Sequence, residues 1–193
     1  MPFAPFNPVL GPNPQYCFPE AHVLQMKEKA FSLSGDDFSI KTASGLPVCV
    51  CKGKVLSISD KKAFTDIQGN KLFDLKNKHL ALFKSFKAVG PGGNVLFEVK
   101  GHFSVLSSKS TVEFTNAADG RSVELEVKGD WFDRSATISC GGQPVASIGR
   151  SFFNVREIFA DKQTYYVKVA PGVDLTMIAA VCICLDEREN EKK

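Results

Sequence analysis

The sequence lacks several features that would assign it to a functional class at once. It contains one Trp and three Tyr against 16 Phe. It also has no apolar run of about 20 residues, the length that a membrane-spanning helix needs. The first 20 residues show neither the basic start nor the apolar stretch of a secretion signal. We therefore expect a cytoplasmic protein with no transmembrane span and with its six cysteines as free thiols.

Signatures of catalysis and of nucleic-acid binding are also missing. There is no G-x-S-x-G, H-E-x-x-H or P-loop motif, and His22, His79 and His102 form no recognisable constellation with a nucleophile. Helix-turn-helix, zinc-finger and RNP patterns are absent, and a formal net charge of +3 is small. We expect no enzyme and no cofactor, and we regard a weak nucleic-acid binder only as an alternative hypothesis.

Two C-x-C pairs raise the question of a metal site. Cys49 and Cys51 lie two residues apart, so in a strand they share one face and are expected to be small buried hydrophobic residues. A metal or redox site is the alternative, but it needs four ligands in a compact pattern, and Cys182 and Cys184 lie far away in the chain. We predict no metal site.

The length of 193 residues fits one domain with short extensions. Residues 1–19 hold six of the ten prolines and are predicted to form an extended, non-helical arm, which either lies on the domain or is disordered. Residues 20–187 form the predicted domain. Residues 188–193 form a charged tail, and the charged end that starts at Asp186 is expected to fray.

Glycines recur at a regular spacing through the domain. The candidate turn glycines are Gly45, Gly69, Gly93, Gly120 and Gly142, with gaps of 24, 24, 27 and 22 residues. Short alternating segments flank each turn. In VELEVKG, for example, Val123, Leu125 and Val127 face one way. This pattern predicts successive antiparallel hairpins with about ten to twelve strands, and such a sheet leaves open edges unless it closes.

One segment departs from this pattern. Residues 175–185 are apolar apart from Thr176, and Asp174 is a good N-cap candidate before them. A helix that is apolar on every side must be buried, although the β-branched content keeps a strand as the alternative. The predicted fold is therefore mainly β: a closed antiparallel barrel around one buried apolar C-terminal helix.

Three stretches resemble the LURP-one-related family. GKVLSISDKKAFTDIQGNKLFDLKNKHLALFKSFKAV is similar to its central hairpins, VKGDWFDRSATI to its G-x-W-x-x-R-S segment, and VAPGVDLTMIAAVCICLDE to its closing turn, cap and apolar helix. Together they cover most of residues 21–187. The resemblance implies a twelve-stranded barrel around a central helix, the tubby C-terminal fold that phospholipid scramblases share.

The resemblance also implies hypotheses about ligands. Tubby domains bind phosphoinositides, and scramblase-like proteins act at membranes with calcium. Calcium is not expected here, because only Asp161 and Asp174 precede the final helix where that pattern requires an acidic cluster.

The distribution of charge suggests where an anionic ligand would bind. Residues 51–90 carry nine Lys and three Asp, so most of the positive charge lies in one stretch. We expect Lys61 and Lys62, at a predicted turn, to bind an anionic lipid head group such as a phosphoinositide. The other candidate ligand-binding residues are Lys52, Lys54, Lys84, Lys87 and Arg134, with Arg150 and Arg156 as second choices.

Two alternatives remain open. The lysines could form a solvated strand face that prevents aggregation. The protein could instead be a scaffold for a protein partner, for which the proline-rich arm offers extended recognition sites. The sequence accordingly favours a binding module, peripheral at a membrane, over the scaffold and over a weak nucleic-acid binder.

Overall fold

Alternating apolar and polar residues form twelve strands in the computed structural model, which describes residues 3–27, 37–53, 61–78, 85–102, 109–130, 135–149 and 164–190. The strands are β1 His22–Lys27, β2 Asp37–Thr42, β3 Pro47–Gly53, β4 Lys61–Thr65, β5 Lys71–Lys78, β6 Ser85–Val89, β7 Val95–His102, β8 Lys109–Thr115, β9 Ser122–Asp130, β10 Ser135–Cys140, β11 Gln143–Gly149 and β12 Thr164–Val169. One helix, α1, spans Leu175–Asn190.

The strands form a closed barrel in chain order. Each strand pairs antiparallel with its neighbours, and β1 pairs with β12 to close the sheet. The five predicted turn glycines all have positive φ angles, between 72° and 91°. The closed barrel and its hairpin spacing are therefore confirmed.

Four hairpins carry an irregularity in their register close to the turn. The shifts fall between Ile40 and Lys41, Phe64 and Thr65, Ala88 and Val89, and Ile138 and Ser139. A bulge bends its strand and increases the local twist. These bulges therefore help to curve the sheet until it closes.

The interior of the barrel is filled by α1. Every side chain from Leu175 to Asp186 is buried, as the all-round apolar sequence predicts. Inward-facing residues of the strands pack around it. On one side Phe64 stacks on Phe73 with ring centroids 4.6 Å apart, and Phe97 meets Phe73 edge-on at 5.4 Å. Cys49 and Cys51 are buried in the same core.

The helix continues past its apolar part. The charged end beginning at Asp186 was expected to fray, but α1 continues to Asn190. The Tyr165 hydroxyl donates a hydrogen bond to Asp186 Oδ2 at 2.7 Å, and Lys62 Nζ lies 2.9 Å from Glu187 Oε1. These partners on the barrel wall explain why the first charged residues remain helical.

The proline-rich arm lies on one end of the barrel, which decides between the two alternatives for it. Leu10 N–H donates to Gly172 O at 2.8 Å, Asp174 N–H donates to Leu10 O at 2.9 Å, and Phe6 N–H donates to Pro171 O at 3.0 Å. The arm is not fully extended, since it contains a 3-10 turn at Pro14–Tyr16. The proline at the start of this turn has the φ that a helical turn needs.

Asp174 joins the arm to the start of the helix. Its Oδ1 accepts hydrogen bonds from the Thr176 and Met177 N–H groups, which confirms the predicted N-cap, and its Oδ2 accepts one from Asn13 N–H at 2.9 Å. Burial raises the pKa of Asp174 to about 6 in spite of these donors. Gly11 passes so close that an added Cβ would lie 2.3 Å from Asp174 Cβ. The arm therefore packs closely against the Asp174 side chain and donates a hydrogen bond to it.

We expect the amides of residues 175–185 to exchange with solvent only when the whole barrel unfolds. Opening the helix would expose its own apolar surface and the barrel lining, at about 25 cal/mol per Å². Hydrogen exchange of the native protein, followed by mass spectrometry, measures this directly. Rapid exchange of this segment under native conditions would contradict a permanently enclosed helix.

Asp174→Ala should lower the free energy of unfolding by about 2–4 kcal/mol. The variant loses an N-cap, worth about 1 kcal/mol, and leaves the half-buried Asn13 N–H without its acceptor. Asp174→Asn is the matched control, because Asn also caps helices well. It should retain most of the stability of the parent. Its side-chain NH2 group, which replaces Oδ2, cannot accept the hydrogen bond from Asn13 N–H. Urea unfolding measures the first effect and limited proteolysis of the arm the second. Equal stability of the alanine variant and the parent would refute this role.

Candidate functional site

The outer surface of β3–β6 carries the basic stretch seen in the sequence. Residues that alternate with the buried Phe64, Phe73 and Phe86 point away from the core. On this surface lie Lys52, Lys61, Lys76 and Lys87, and the bulge between β4 and β5 places Lys71 opposite Thr65 and in contact with Asp74 on the same side. We call this surface the basic face.

Three of these lysines lie directly opposite one another across neighbouring strands. Lys61 pairs in register with Lys76, and Lys76 pairs with Lys87. Like charges at directly opposite positions destabilise a sheet. The row continues with the opposite sign, because Lys87 pairs with Glu98, Glu98 with Glu113, and Glu113 with Glu124. We call these six residues the charged row.

Ion pairs among the described residues neutralise parts of the charged row. Lys87 Nζ lies 3.7 Å from Glu98 Oε2, at the point where the sign changes, and Lys100 Nζ lies 2.5 Å from Glu113 Oε2. Lys76 is exposed and has no ion-pair partner among the described residues. The middle of the lysine half therefore presents positive charge to solvent.

Asp74 binds two lysines of the basic face. Its carboxylate is buried between Lys61 Nζ at 2.7 Å and Lys71 Nζ at 2.6 Å. Burial alone raises the pKa of Asp74, but the hydrogen bonds and charges of Lys61 and Lys71 outweigh it and hold the pKa below the ordinary 3.8. One carboxylate thus orders two cations, and the group keeps a net positive charge.

Lys61 and Lys62 do not act as a pair. They were predicted at a turn, but both lie at the start of β4, where successive side chains face opposite sides of the sheet. Lys62 is opposite the buried Leu75 and extends to Glu187 on α1. It connects the barrel wall to the helix, whereas Lys61 belongs to the basic face.

The other predicted ligand-binding residues divide into two groups. Lys52 and Lys87 are on the basic face, with Lys52 exposed opposite Ala63 on β4. The remaining candidates, Lys54, Lys84, Arg134, Arg150 and Arg156, lie outside the described residues, as do His79 and Asp161. That any of these residues binds a head group stays a prediction.

The two histidines in strands are far apart. His22 begins β1 at the end of the barrel that the arm covers, and its ring meets Phe18 edge-on at 4.9 Å. His102 ends β7 at the other end.

Within the described part of the chain, no helix is long and apolar enough to cross a membrane.

The fold defines a class of β-barrel proteins in which a closed antiparallel sheet encloses the chain's own C-terminal helix. The chain belongs to the LURP-one-related family, whose model matches residues 22–186. It is 26% identical over 188 residues to Protein LURP-one-related 15 of Arabidopsis thaliana, covering 94% of this chain and 86% of that protein. It is 25% identical over 183 residues to Protein LURP1 of the same species, covering 91% and 87%.

A solved structure supports the fold. The X-ray structure of a protein from Arabidopsis thaliana superimposes with a TM-score of 0.63, at 21% identity, and covers 91% of this chain and 95% of that one. The family and the twelve-stranded barrel inferred from sequence are both confirmed.

Sequence reasoning missed the glutamate half of the charged row and the role of Asp74. Lys76 belongs to the basic stretch, but it is not among the ligand-binding residues that the sequence predicts. The turn glycines give approximate strand pairings, so aligning the hairpins on them could have placed Lys76 near Lys87. The bulges shift the register locally, however, so the full row requires the structure.

Asp74→Asn should lower the free energy of unfolding at pH 7 by about 1–2 kcal/mol, because it removes charge-assisted hydrogen bonds to two lysines. The pKa of Asp74 is lowered in the folded protein, so its contribution is complete above pH 3.8 and is lost as the pH falls through the folded pKa. Urea unfolding at several pH values should therefore show the difference between variant and parent vanishing in acid.

The matched control is Glu126→Gln, which removes the carboxylate of the exposed pair between Glu126 and Lys128. Exposed pairs contribute about 0–1 kcal/mol, so this change should have little effect. If both variants lost the same stability, Asp74 would not have the special role assigned to it.

Proposed function

We propose that this protein is a non-enzymatic binding module that attaches peripherally to anionic phospholipid surfaces through the basic face. The observation that carries the proposal is the cross-strand alignment of Lys61, Lys76 and Lys87. Such an alignment costs stability in the free protein and is relieved when phosphate groups lie over it. The proposal implies a cytoplasmic protein that meets the inner leaflet of a membrane.

The energetics favour a surface of many phosphates over a single small anion. A lysine near an anionic membrane contributes about 1 kcal/mol. Lys61 and Lys71 keep contact with Asp74, while Lys76 and Lys87 extend from the same surface. Several cations spread over four strands match a layer of head groups, among which phosphoinositides have the highest charge.

The charged row also supports a defined orientation. Its glutamates lie on β7, β8 and β9, next to the basic face. An anionic membrane attracts one half of the row and repels the other. The barrel should therefore bind with β3–β6 towards the membrane and with the glutamate half turned away.

Nucleic acid is less well supported as the ligand. Binding of single strands uses exposed aromatic side chains on which bases stack. Phe64, Phe73 and Phe97 lie next to the basic face in sequence but are buried inside the barrel. An acidic protein partner remains the second candidate, since the lysines would serve it equally well.

The test is sedimentation of the purified protein with phosphatidylcholine vesicles that contain either phosphatidylserine or a phosphoinositide at equal total charge. We expect Lys76→Glu combined with Lys87→Glu to weaken binding by about thirtyfold or more, because each lysine contributes about 1 kcal/mol near the surface. Stronger binding to the phosphoinositide, displaced by soluble inositol phosphate, would indicate head-group recognition.

The control variant is Lys128→Glu combined with Lys168→Glu, on β9 and β12. It has the same net charge, but its changes lie away from the basic face, and β12 is six strands from β6 in either direction. Circular dichroism checks the folding of both variants. If the two variants bound equally, or the parent bound neither anionic vesicle, the proposal would be wrong and the search would turn to protein partners.

A further inference from the structure

Three large apolar side chains are exposed among the described residues. They are Leu46, Ile67 and Val95, with 41%, 54% and 50% of their surface accessible to solvent. Leu46 precedes β3, Ile67 lies in the turn between β4 and β5, and Val95 follows the turn between β6 and β7. All three are therefore at one end of the barrel, on three consecutive hairpins. We call them the apolar tips.

The same end of the barrel is covered elsewhere by the N-terminal arm. The arm bonds to Asn116 and Ala117 in the turn after β8, to Gln143 at the start of β11, and to the loop before α1. The apolar tips lie on neighbouring hairpins of this end, and these hairpins also carry the basic face. The two features thus coincide on one side of the molecule.

Two lysines flank the apolar tips. Lys41, one residue before the end of β2, lies opposite Pro47 and is exposed, and Lys71 begins β5 directly after the turn that holds Ile67. The nearest acidic group is Asp66, whose carboxylate accepts hydrogen bonds from Gln68 N–H, Asn70 N–H and the Asn70 amide. These hydrogen bonds, first of all that from the Asn70 amide, hold the pKa of Asp66 below its usual value, so the tips carry one negative charge beside the two flanking lysines.

We infer that the apolar tips form a membrane-docking edge: Leu46, Ile67 and Val95 enter the head-group and upper acyl region of a bilayer, while Lys41 and Lys71 contact phosphates. This inference rests on the proposed function and adds the part of the barrel that penetrates. Single exposed apolar residues are common, but a row of three beside a basic face matches the arrangement of interfacial anchors.

The geometry of the tips favours a bilayer over a protein partner. Neighbouring hairpins are two strands apart, so the tips are spaced by about 10 Å along the rim of a barrel. Apolar side chains at that spacing are too far apart to form one continuous patch, which protein interfaces need at their centre. A fluid head-group layer accommodates separate projections without a complementary shape.

The first experiment replaces all three tips, as Leu46→Ser, Ile67→Ser and Val95→Ser, in the full-length protein. Vesicles of phosphatidylcholine and phosphatidylserine serve as the probe. Binding should weaken by about tenfold or more, since each partly exposed aliphatic side chain transfers only in part from water. Raising the salt concentration should weaken lysine contacts but leave the apolar contribution. Because the residues are exposed, the melting temperature should stay unchanged.

The second experiment places a fluorophore at one tip. Vesicles made with brominated lipids should quench the tryptophan fluorescence of Ile67→Trp. The reference is the parent protein, whose one tryptophan is Trp131. The matched control is Ala118→Trp, in the exposed turn after β8 at the same end of the barrel. Quenching at position 67 but not at position 118 supports the docking edge. Absence of quenching at position 67 overturns it.

The outcomes separate the two proposals. If the parent binds, the lysine variant loses binding, and the serine variant binds like the parent, then the docking edge is wrong and the proposed function stands. If the parent binds no anionic vesicle, both are wrong. If the serine variant loses binding while the salt dependence is unchanged, the docking edge is supported together with the basic face.

Discussion

The requirement to enclose an all-round apolar helix determines the rest of this structure. Residues Leu175 to Asp186 are buried on every side, so the sheet has to surround them completely. Closing twelve strands into a barrel does this, and it also removes the open edges of the sheet. The helix in turn needs its first N–H groups satisfied inside the barrel. Asp174 supplies the acceptors, and the arm that binds Asp174 covers that end.

Closure also fixes which side chains reach solvent. Because the inward face of each strand packs against the helix, the next side chain along the strand must point outwards. Lys62 is therefore drawn towards Glu187 inside the rim, while Lys61 joins the outer surface beside Asp74. The charged row follows from the same register. An electrostatic surface is thus specified by the packing of the core, although none of its residues belongs to the core.

The sequence predicted the parts of the fold that depend on local chemistry. Turn glycines need positive φ, an apolar run needs enclosure, and Asp174 precedes that run as a cap, so the hairpins, the helix and its start could all be inferred. The sites depend on the register between paired strands and on the packing of the arm. The alignment of Lys76 with Lys87, the burial of Asp74 between two lysines and the fit of Gly11 against Asp174 are set by register and bulges, which composition does not reveal.

The order of charges in the row argues against an ordinary solvated surface. Alternating the same lysines and glutamates would place opposite charges at every cross-strand pair, whereas the observed order gives one opposite pair, Lys87–Glu98, and four like-charge pairs. At about 0.2–1 kcal/mol for each pair, the difference amounts to about 1–4 kcal/mol. That is a substantial part of a typical folding free energy of about 5–15 kcal/mol.

Solubility requires only that charges be present, not that they be segregated. A segregated row instead creates a local field, which is useful when a partner of one charge has to be bound on one side of the barrel.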